Sequence, residues 1–162
     1  QAFKSSNLSS KGFKLCVAGK IHDDKYGERI KEICSNNSTI KLLGYVDEIE
    51  KTWLFLNAHA FVSPSCVEGF GIPVLDAYIL GLNVLASNIP SHKEIASIPA
   101  VDRNLNLLCL NNVDSWISAL REIDSDEIIT TFLKRKRISN FEISFHNLSK
   151  AFDKKLVELM TE

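Results

Sequence analysis

The sequence predicts an α/β fold: a Rossmann-like parallel sheet with helices on both faces, followed by a helical C-terminal tail. Short apolar runs rich in β-branched or aromatic residues recur about every 20–25 residues, and segments of helical periodicity separate the first four runs. This alternation is typical of βαβ units, in which crossover helices cover a parallel sheet. A chain of 162 residues is long enough for its own core. We therefore expect residues 1–162 to form one domain.

Strands and helices can be assigned from these runs. The five predicted strands are Phe13–Ala18, Thr39–Leu43, Ala60–Pro64, Asn83–Ala86 and Leu107–Leu110. Three helices are predicted between the first four strands from apolar residues spaced three or four positions apart. Those residues are Tyr26, Ile30, Ile33 and Cys34 in the first helix, Ile49, Trp53, Leu54 and Leu56 in the second, and Val74, Leu75, Tyr78 and Ile79 in the third. The first set is expected to form one buried face.

Beyond Val113 the strand pattern gives way to helices. One helix is predicted around Trp116 and Leu120, a second within residues 128–133, and a tail stripe within residues 145–159. The tail is more typical of a packing helix than of a coiled coil with a partner.

Composition excludes several classes of function. The net charge of −1 supplies no overall field for nucleic acid, and no apolar run approaches the roughly 20 residues that span a bilayer. A basic run at residues 134–137 could touch anionic lipid or nucleic acid, but the acidic residues before it favour a solvated helix face.

The four cysteines include no C-x-x-C pair, which favours a reducing, cytoplasmic compartment. Cys16 and Cys109 lie in apolar runs, where free thiols are expected to behave as small hydrophobes. Because the only methionine is Met160, we expect the sequence to be an excerpt of a longer chain. Gln1–Ser6 is then the last turn of a helix, and the first strand of the sheet lies upstream.

The stretch most informative about chemistry covers residues 63–77 and is predicted to form a strand, a glycine-bearing loop and a helix. Gly69 and Gly71 permit positive φ and close backbone approach, and Pro73 fits the first helical turn. Such a loop presents backbone N–H groups at a helix N-terminus, which suits phosphate. It would lie at the carboxyl edge of the strands, where open parallel sheets bind ligands.

Two carboxylates bracket this loop, Glu68 at its start and Asp76 in the following helix. Carboxylates repel phosphate but accept hydrogen bonds from the hydroxyls of a sugar or a ribose. A phosphate site with polyol sites on both sides describes a nucleotide sugar.

The same stretch resembles the E-x7-E motif of retaining glycosyltransferases with the GT-B architecture, family 4 and its relatives. Further blocks resemble the C-terminal domain of that family, in order and with the expected spacing over roughly residues 1 to 160. They are Leu15–Lys20, Ile40–Val46, Asn57–Ser65, Gly81–Asn88 and Pro90–Ile95. The resemblance implies the nucleotide-sugar-binding half of a two-domain enzyme.

Site roles follow from this resemblance. Glu68 would be the catalytic contact to the donor sugar, Asp76 would take the ribose, and no metal or other cofactor would be needed because the helix dipole and basic side chains neutralise the leaving diphosphate. The other implied donor contacts are Gly69, Phe70, Gly71 and Ile72 at the diphosphate and Gly44, Tyr45 and Val46 at the base.

The chain departs from the family pattern in two ways. Asp76 stands where the family usually has Glu. The Arg and Lys that neutralise the diphosphate in the family would lie upstream of Gln1, so residues 1–162 alone are expected to be inactive.

The expected partners are a UDP- or GDP-linked sugar and a glycan or lipid-linked acceptor held by an N-terminal domain. Peripheral contact with the inner face of a membrane is also expected.

Four smaller features leave alternatives open. Gly19-Lys20 is a donor contact or, as its sequence favours, a plain turn after a strand. His22-Asp23-Asp24 is a metal site or, as favoured, a polar turn ahead of a helix. His92 is a donor-loop contact or, as favoured, a surface residue in the loop after the fourth strand. Glu94 either orients a loop or is purely structural.

Three functions compete at this point. The first is the donor-binding domain of a glycosyltransferase in polysaccharide or glycoconjugate assembly. The second is a non-catalytic α/β module for nucleotide binding or interaction. The third, a nucleotide-sugar epimerase, lacks a matching acid and base set.

Overall fold

The computed structural model of the protein describes residues 1–98 and 105–123. Helices predicted within residues 128–133 and 145–159, and the basic run at 134–137, lie outside the described residues. The described chain forms two compact units: unit one contains residues 1–54 and 111–123, and unit two contains residues 55–98 and 105–110. The expectation of one domain over residues 1–162 stays a prediction.

Strands and helices alternate as the sequence predicts. The helices are α1 (Ala2–Ser5), α2 (Lys25–Ser35), α3 (Glu48–Asn57), α4 (Ile72–Ile79), α5 (Pro90–Ala96) and α6 (Val113–Arg121), with a 3₁₀ turn at Ser9–Lys11. The strands are β1 (Leu15–Ala18), β2 (Ile40–Gly44), β3 (Ala60–Ser63), β4 (Asn83–Ser87) and β5 (Leu105–Leu108). All five predicted strands are present, although the fifth, predicted at Leu107–Leu110, lies two residues earlier in the chain. The segment predicted as a loop after the fourth strand is instead helix α5.

Unit one contains a two-stranded parallel sheet. Leu15 of β1 pairs with Ile40 of β2, and the register shifts between Val17 and Ala18. Helix α2 packs against β2, and α1 packs against α6.

Helix α2 begins where Asp24 accepts a hydrogen bond from the Gly27 N–H at 2.7 Å, a helix-capping interaction. The predicted buried face is only partly correct, because Tyr26 is 73% exposed and Ile33 43% exposed. The residues that are buried are Gly27 and Cys34. They lie about 100° around the helix axis from Tyr26 and Ile33 at 3.6 residues per turn. The helix therefore turns its glycine side inward, where the lack of a side chain permits close approach.

Unit two contains a three-stranded parallel sheet in the order β3-β4-β5. Ala60 pairs with Asn83, and Ser87 pairs with Leu108. Strand β4 is central, and its last four residues are buried. The sequence of a strand that is covered on both faces is typically a continuous apolar run, as in the Val84–Ala86 segment of β4.

The core of unit two packs helices α4 and α5 and the end of α3 with this sheet. Its buried residues are Phe55, Val74, Ala77, Tyr78, Leu80, Leu82, Val84, Ala86 and Ile95. Each fully buried aliphatic side chain contributes about 1.5–3 kcal/mol to folding. The rings of Phe55 and Phe61 meet edge to face with centroids 5.2 Å apart. Burial of Val74, Tyr78 and Ile79 confirms the predicted inner face of α4.

The thiols of Cys16 and Cys109 are exposed, contrary to their predicted behaviour as small hydrophobes. Burial alternates along β1, and Cys16 is on its exposed face. Cys109 follows the last residue of β5, so the apolar run Leu107–Leu110 continues two residues past the strand.

We expect Gly27→Ala to destabilise the protein although alanine is the better helix former. A Cβ at this position would overlap the backbone oxygen of His22. Separating the two groups should cost more than the roughly 1 kcal/mol that alanine gains in helix propensity, for a net loss of about 1–3 kcal/mol. Denaturant unfolding measures this difference, with Glu32→Ala at an exposed position of the same helix as the control. A Gly27→Ala protein as stable as the wild type would contradict this packing.

Candidate functional site

The glycine-bearing loop lies where the sequence predicts it. Residues 64–71 connect the carboxyl end of β3 to the first residue of α4. All three strands of this sheet are parallel. The loop therefore lies at their carboxyl edge, the edge at which open α/β sheets bind ligands.

Gly71 begins helix α4 in a left-handed conformation, with φ of 89°, and it is buried. The first helical hydrogen bonds run from the N–H groups of Val74 and Leu75 to the Gly71 carbonyl. Pro73 lies in the first turn, as predicted. Gly69 is not among the glycines with positive φ, so the conformation that the sequence permits at both glycines is adopted by Gly71 alone.

Other predicted diphosphate contacts in the loop are accessible. Gly69 is exposed, Phe70 is 40% exposed and Ile72 is 59% exposed. Ile72 is the first of the eight residues of helix α4, and the N-terminus of a helix carries a partial positive charge.

Glu68 is half-buried in this loop. Its Oε1 accepts a hydrogen bond of 2.6 Å from the hydroxyl of Ser65. The Ser65 and Ser63 hydroxyl oxygens are 3.4 Å apart. One carboxylate oxygen is thus held by the loop itself, which fixes where the carboxylate lies.

A second layer of polar groups lies behind Ser65. Ser87, fully buried at the end of β4, donates a hydrogen bond from its hydroxyl to the Ser65 carbonyl. The Ser87 carbonyl in turn lies 2.8 Å from Nδ1 of His92. A carbonyl can only accept, so Nδ1 carries a hydrogen and donates it.

His92 is fully buried on α5, which corrects the favoured interpretation of a surface residue in a loop. The helix begins after Ile89, with Pro90 in its first turn. Pro90 suits that position because its ring presets a helical φ and the N–H it lacks has no partner there. The turn places the imidazole inside unit two.

Asp76 is half-buried within α4, past the first helical turn. Glu94 is exposed on α5. Nothing in the geometry tests a ribose contact at Asp76 or a loop-orienting role for Glu94, and both stay predictions.

Unit one brings together the other predicted donor contacts. The Gly19 N–H donates a 2.7 Å hydrogen bond to the Gly44 carbonyl, which joins the turn after β1 to the last residue of β2. Both glycines have positive φ, 141° at Gly19 and 71° at Gly44. Lys20 and Tyr45 are exposed and Val46 is half-buried.

Beside this turn is an open groove of about 450 Å³. It is lined by Leu43, Tyr45, Val46, Ile49, Glu50, Trp53 and Leu54. Three of these side chains are unusually accessible for their type, with exposed fractions of 78% at Tyr45, 81% at Ile49 and 62% at Trp53. Aromatic and aliphatic walls of this kind suit a flat, apolar ring. The sequence predicts the helix but not the exposure of its apolar residues.

The segment His22-Asp23-Asp24 forms the polar turn that the sequence favours. Asp24 caps α2, and Asp23 lies 2.9 Å from the ammonium of Lys31. The hydrogen bond and charge of Lys31 lower the pKa of the Asp23 carboxyl below its ordinary value. In the part of the chain that the structure describes, no three His, Cys, Asp or Glu residues cluster as metal ligands would.

Across residues 1–98 and 105–123, no helix is both long and apolar enough to cross a membrane.

Sequence reasoning missed Ser65, Ser87 and a buried His92 as members of the site. A signal existed for Ser87, because it is a polar residue at the carboxyl end of an apolar strand, where ligand-binding residues gather. Burial of His92 depends on α5 and Gly71 together and has no signal in local periodicity.

Parallel strands, crossover helices and a glycine-containing loop at a helix N-terminus define an α/β fold of the Rossmann type. The chain belongs to the family described as glycosyl transferases group 1, whose model matches residues 1–141. The predicted fold class and the resemblance to glycosyltransferases are therefore confirmed.

One curated relative is O-antigen chain mannosyltransferase B of Escherichia coli. This chain is 43% identical to it over 56 residues. The aligned segment covers 35% of this chain and 15% of the relative. The likeness supports a glycosyltransferase over the competing nucleotide-sugar epimerase.

The two loop glycines should respond differently to alanine. We expect Gly71→Ala to lower stability by about 1–2 kcal/mol, since an L-residue is strained in the left-handed region, and because its Cβ would lie 3.1 Å from His92 Cδ2. Gly69→Ala is the matched control, because a Cβ there meets nothing within 4 Å. Thermal unfolding of both variants checks the difference. Equal losses in the two would show that Gly71 is not specifically required.

Proposed function

We propose that this chain binds the nucleoside diphosphate sugar used by a glycosyltransferase that transfers a hexosyl unit to an acceptor hydroxyl with retention. The observation that carries the proposal is the loop at residues 64–71, in which Ser65 holds the Glu68 carboxylate within the segment that begins α4. Family membership supplies the reaction class.

The diphosphate is assigned to the N–H groups of residues 69–72. A helix N-terminus attracts anions through its dipole and its unpaired N–H groups. The buried, left-handed Gly71 lets backbone approach a ligand without an intervening side chain. In the reaction, the same groups would stabilise charge that develops on the leaving diphosphate.

Glu68 is assigned to the donor sugar as the catalytic contact. A carboxylate offers about four acceptor positions on its two oxygens, and Ser65 uses one of them. Neutral sugar hydroxyls suit the others, whereas a second anion would be repelled. Asp76 is assigned to the ribose, with a shorter reach than the glutamate usual in the family.

Unit one carries a candidate surface of its own. Its groove has the flat aromatic and aliphatic lining that suits a nucleobase, with Tyr45 and Trp53 among its walls. Gly19, Lys20, Gly44 and Val46 are proposed donor contacts through the family resemblance. Both UDP- and GDP-linked sugars fit this assignment.

The E. coli relative, named as an O-antigen chain mannosyltransferase, suggests mannose as the first donor sugar to test. We propose polysaccharide or glycoconjugate biosynthesis as the setting, with a glycan or lipid-linked acceptor and peripheral contact at the cytoplasmic face of a membrane. The helix dipole and loop amides stabilise the leaving group in this scheme.

A thermal-shift panel on the intact protein tests donor binding. UDP, GDP, ADP and their hexose derivatives are compared, with mannose and glucose as the sugars. We expect one base to stabilise the protein by about 2.7 kcal/mol at a ligand concentration of 100 Kd. In Glu68→Gln the diphosphate should retain its effect and the added effect of the sugar should shrink. No response to any nucleotide would favour the non-catalytic module.

Kinetics should separate the two carboxylates. Glu68→Gln is expected to lower kcat, by roughly tenfold or more, because its hydrogen bonds to the sugar strengthen as the bond breaks. Asp76→Asn is expected chiefly to raise the donor KM, because ribose contacts change little along the reaction. Glu32→Gln, an exposed carboxylate on α2, is the control. A wild-type kcat in Glu68→Gln would show that the catalytic assignment is wrong.

A further inference from the structure

His92 is the most deeply buried ionisable side chain near the loop at residues 64–71, which is called the donor loop below, and its exposed fraction is 0%. Its Nδ1–H donates to the Ser87 carbonyl. Its other nitrogen, Nε2, is buried and has no hydrogen-bond partner among the described residues. A buried polar atom without a hydrogen-bond partner destabilises the folded state. Because Nε2 has no partner, filling the space alone does not explain why an imidazole occupies this position.

The ring presents its Cδ2–Nε2 edge to the start of α4. A Cβ built on Gly71 would lie 3.1 Å from Cδ2 and 3.3 Å from Nε2. The imidazole therefore packs directly against Gly71, the left-handed glycine at the end of the donor loop.

Three hydrogen bonds, linked through the residues Ser87 and Ser65, connect His92 to Glu68. The imidazole holds the Ser87 carbonyl, the Ser87 hydroxyl donates to the Ser65 carbonyl, and the Ser65 hydroxyl donates to Glu68. All four residues belong to unit two. No charge or sugar contact at His92 itself is needed for an effect on Glu68.

We infer that His92 is a positioning residue, which holds the donor loop and, through Ser87 and Ser65, the carboxylate of Glu68. The inference rests on the proposed role of Glu68. A displacement of about 1 Å in a catalytic group can lower the rate 10²-fold. A buried residue that holds the loop in place, such as His92, therefore affects the reaction without contacting the substrate.

Histidine combines two properties that other side chains supply singly. Its flat ring fits against Gly71 as phenylalanine would, and its Nδ1–H donates as the amide of asparagine would. His92→Phe therefore removes the donor and keeps the ring. His92→Asn keeps a donor near Nδ1 and removes the ring.

The decisive experiment is a double-mutant cycle on the intact enzyme with the sugar nucleotide that stabilises it most in the panel. We expect His92→Phe to lower kcat about tenfold, equivalent to one weakened hydrogen bond in the transition state. In the Glu68→Gln background, the same change should lower kcat by less than about twofold, because residues that act as a unit are not additive. His92→Asn should recover most of the wild-type kcat.

Ser91→Ala is the matched control on the same helix. Its hydroxyl is also buried without a partner among the described residues, and removing it should leave kcat unchanged. If His92→Phe does not fold, Ser87→Ala replaces it in the cycle, since that variant removes the hydroxyl link to Ser65 with a loss of one atom. The same non-additivity with Glu68→Gln is expected.

The outcomes separate the inference from the function beneath it. If Glu68→Gln lowers kcat and neither His92→Phe nor Ser87→Ala does, His92 is not a positioning residue and the proposed function stands. Equal fold losses in both backgrounds would also overturn the inference, because they indicate a general loss of structure. If Glu68→Gln keeps the wild-type kcat, the catalytic role of Glu68 and the inference both fall.

Discussion

The interactions of Ser87 at the end of β4 are those on which the rest of the site depends. Its backbone carbonyl and its side-chain hydroxyl act in different directions, one accepting from His92 on α5 and the other donating to Ser65 in the donor loop. Because β4 is the central strand of its sheet and is buried, the serine is held firmly by its neighbours. Two hydrogen bonds from one buried residue restrict the positions that its partners can take.

The two units present contrasting surfaces to small molecules. Unit two has a loop at residues 64–71 that leads into a helix N-terminus and contains the Glu68 carboxylate, groups whose chemistry suits anions and hydroxyls. Unit one has exposed apolar and aromatic side chains around Trp53, groups whose chemistry suits stacking with a flat ring.

Sequence patterns predicted the strands correctly because a buried parallel strand leaves a local signal, as in the apolar run around Val84. They also predicted that residues 64–71 would lie between a strand and a helix. The buried side of α2 was only partly predicted, since a glycine gives no apolar signal and Gly27 faces inward. Helix α5 and the burial of His92 were missed because a short polar segment shows no periodicity. Its environment comes from residues distant in sequence.

The contact between Gly71 and His92 also constrains how segments of related proteins can be exchanged. The two positions are 21 residues apart in the chain and share one space, with the glycine backbone against the imidazole edge. A chimera whose junction falls between α4 and α5 takes one position from each parent. A parent with a side chain at position 71 would then collide with the ring, and one with a small residue at position 92 would leave a void. Exchangeable modules must therefore carry both helices together.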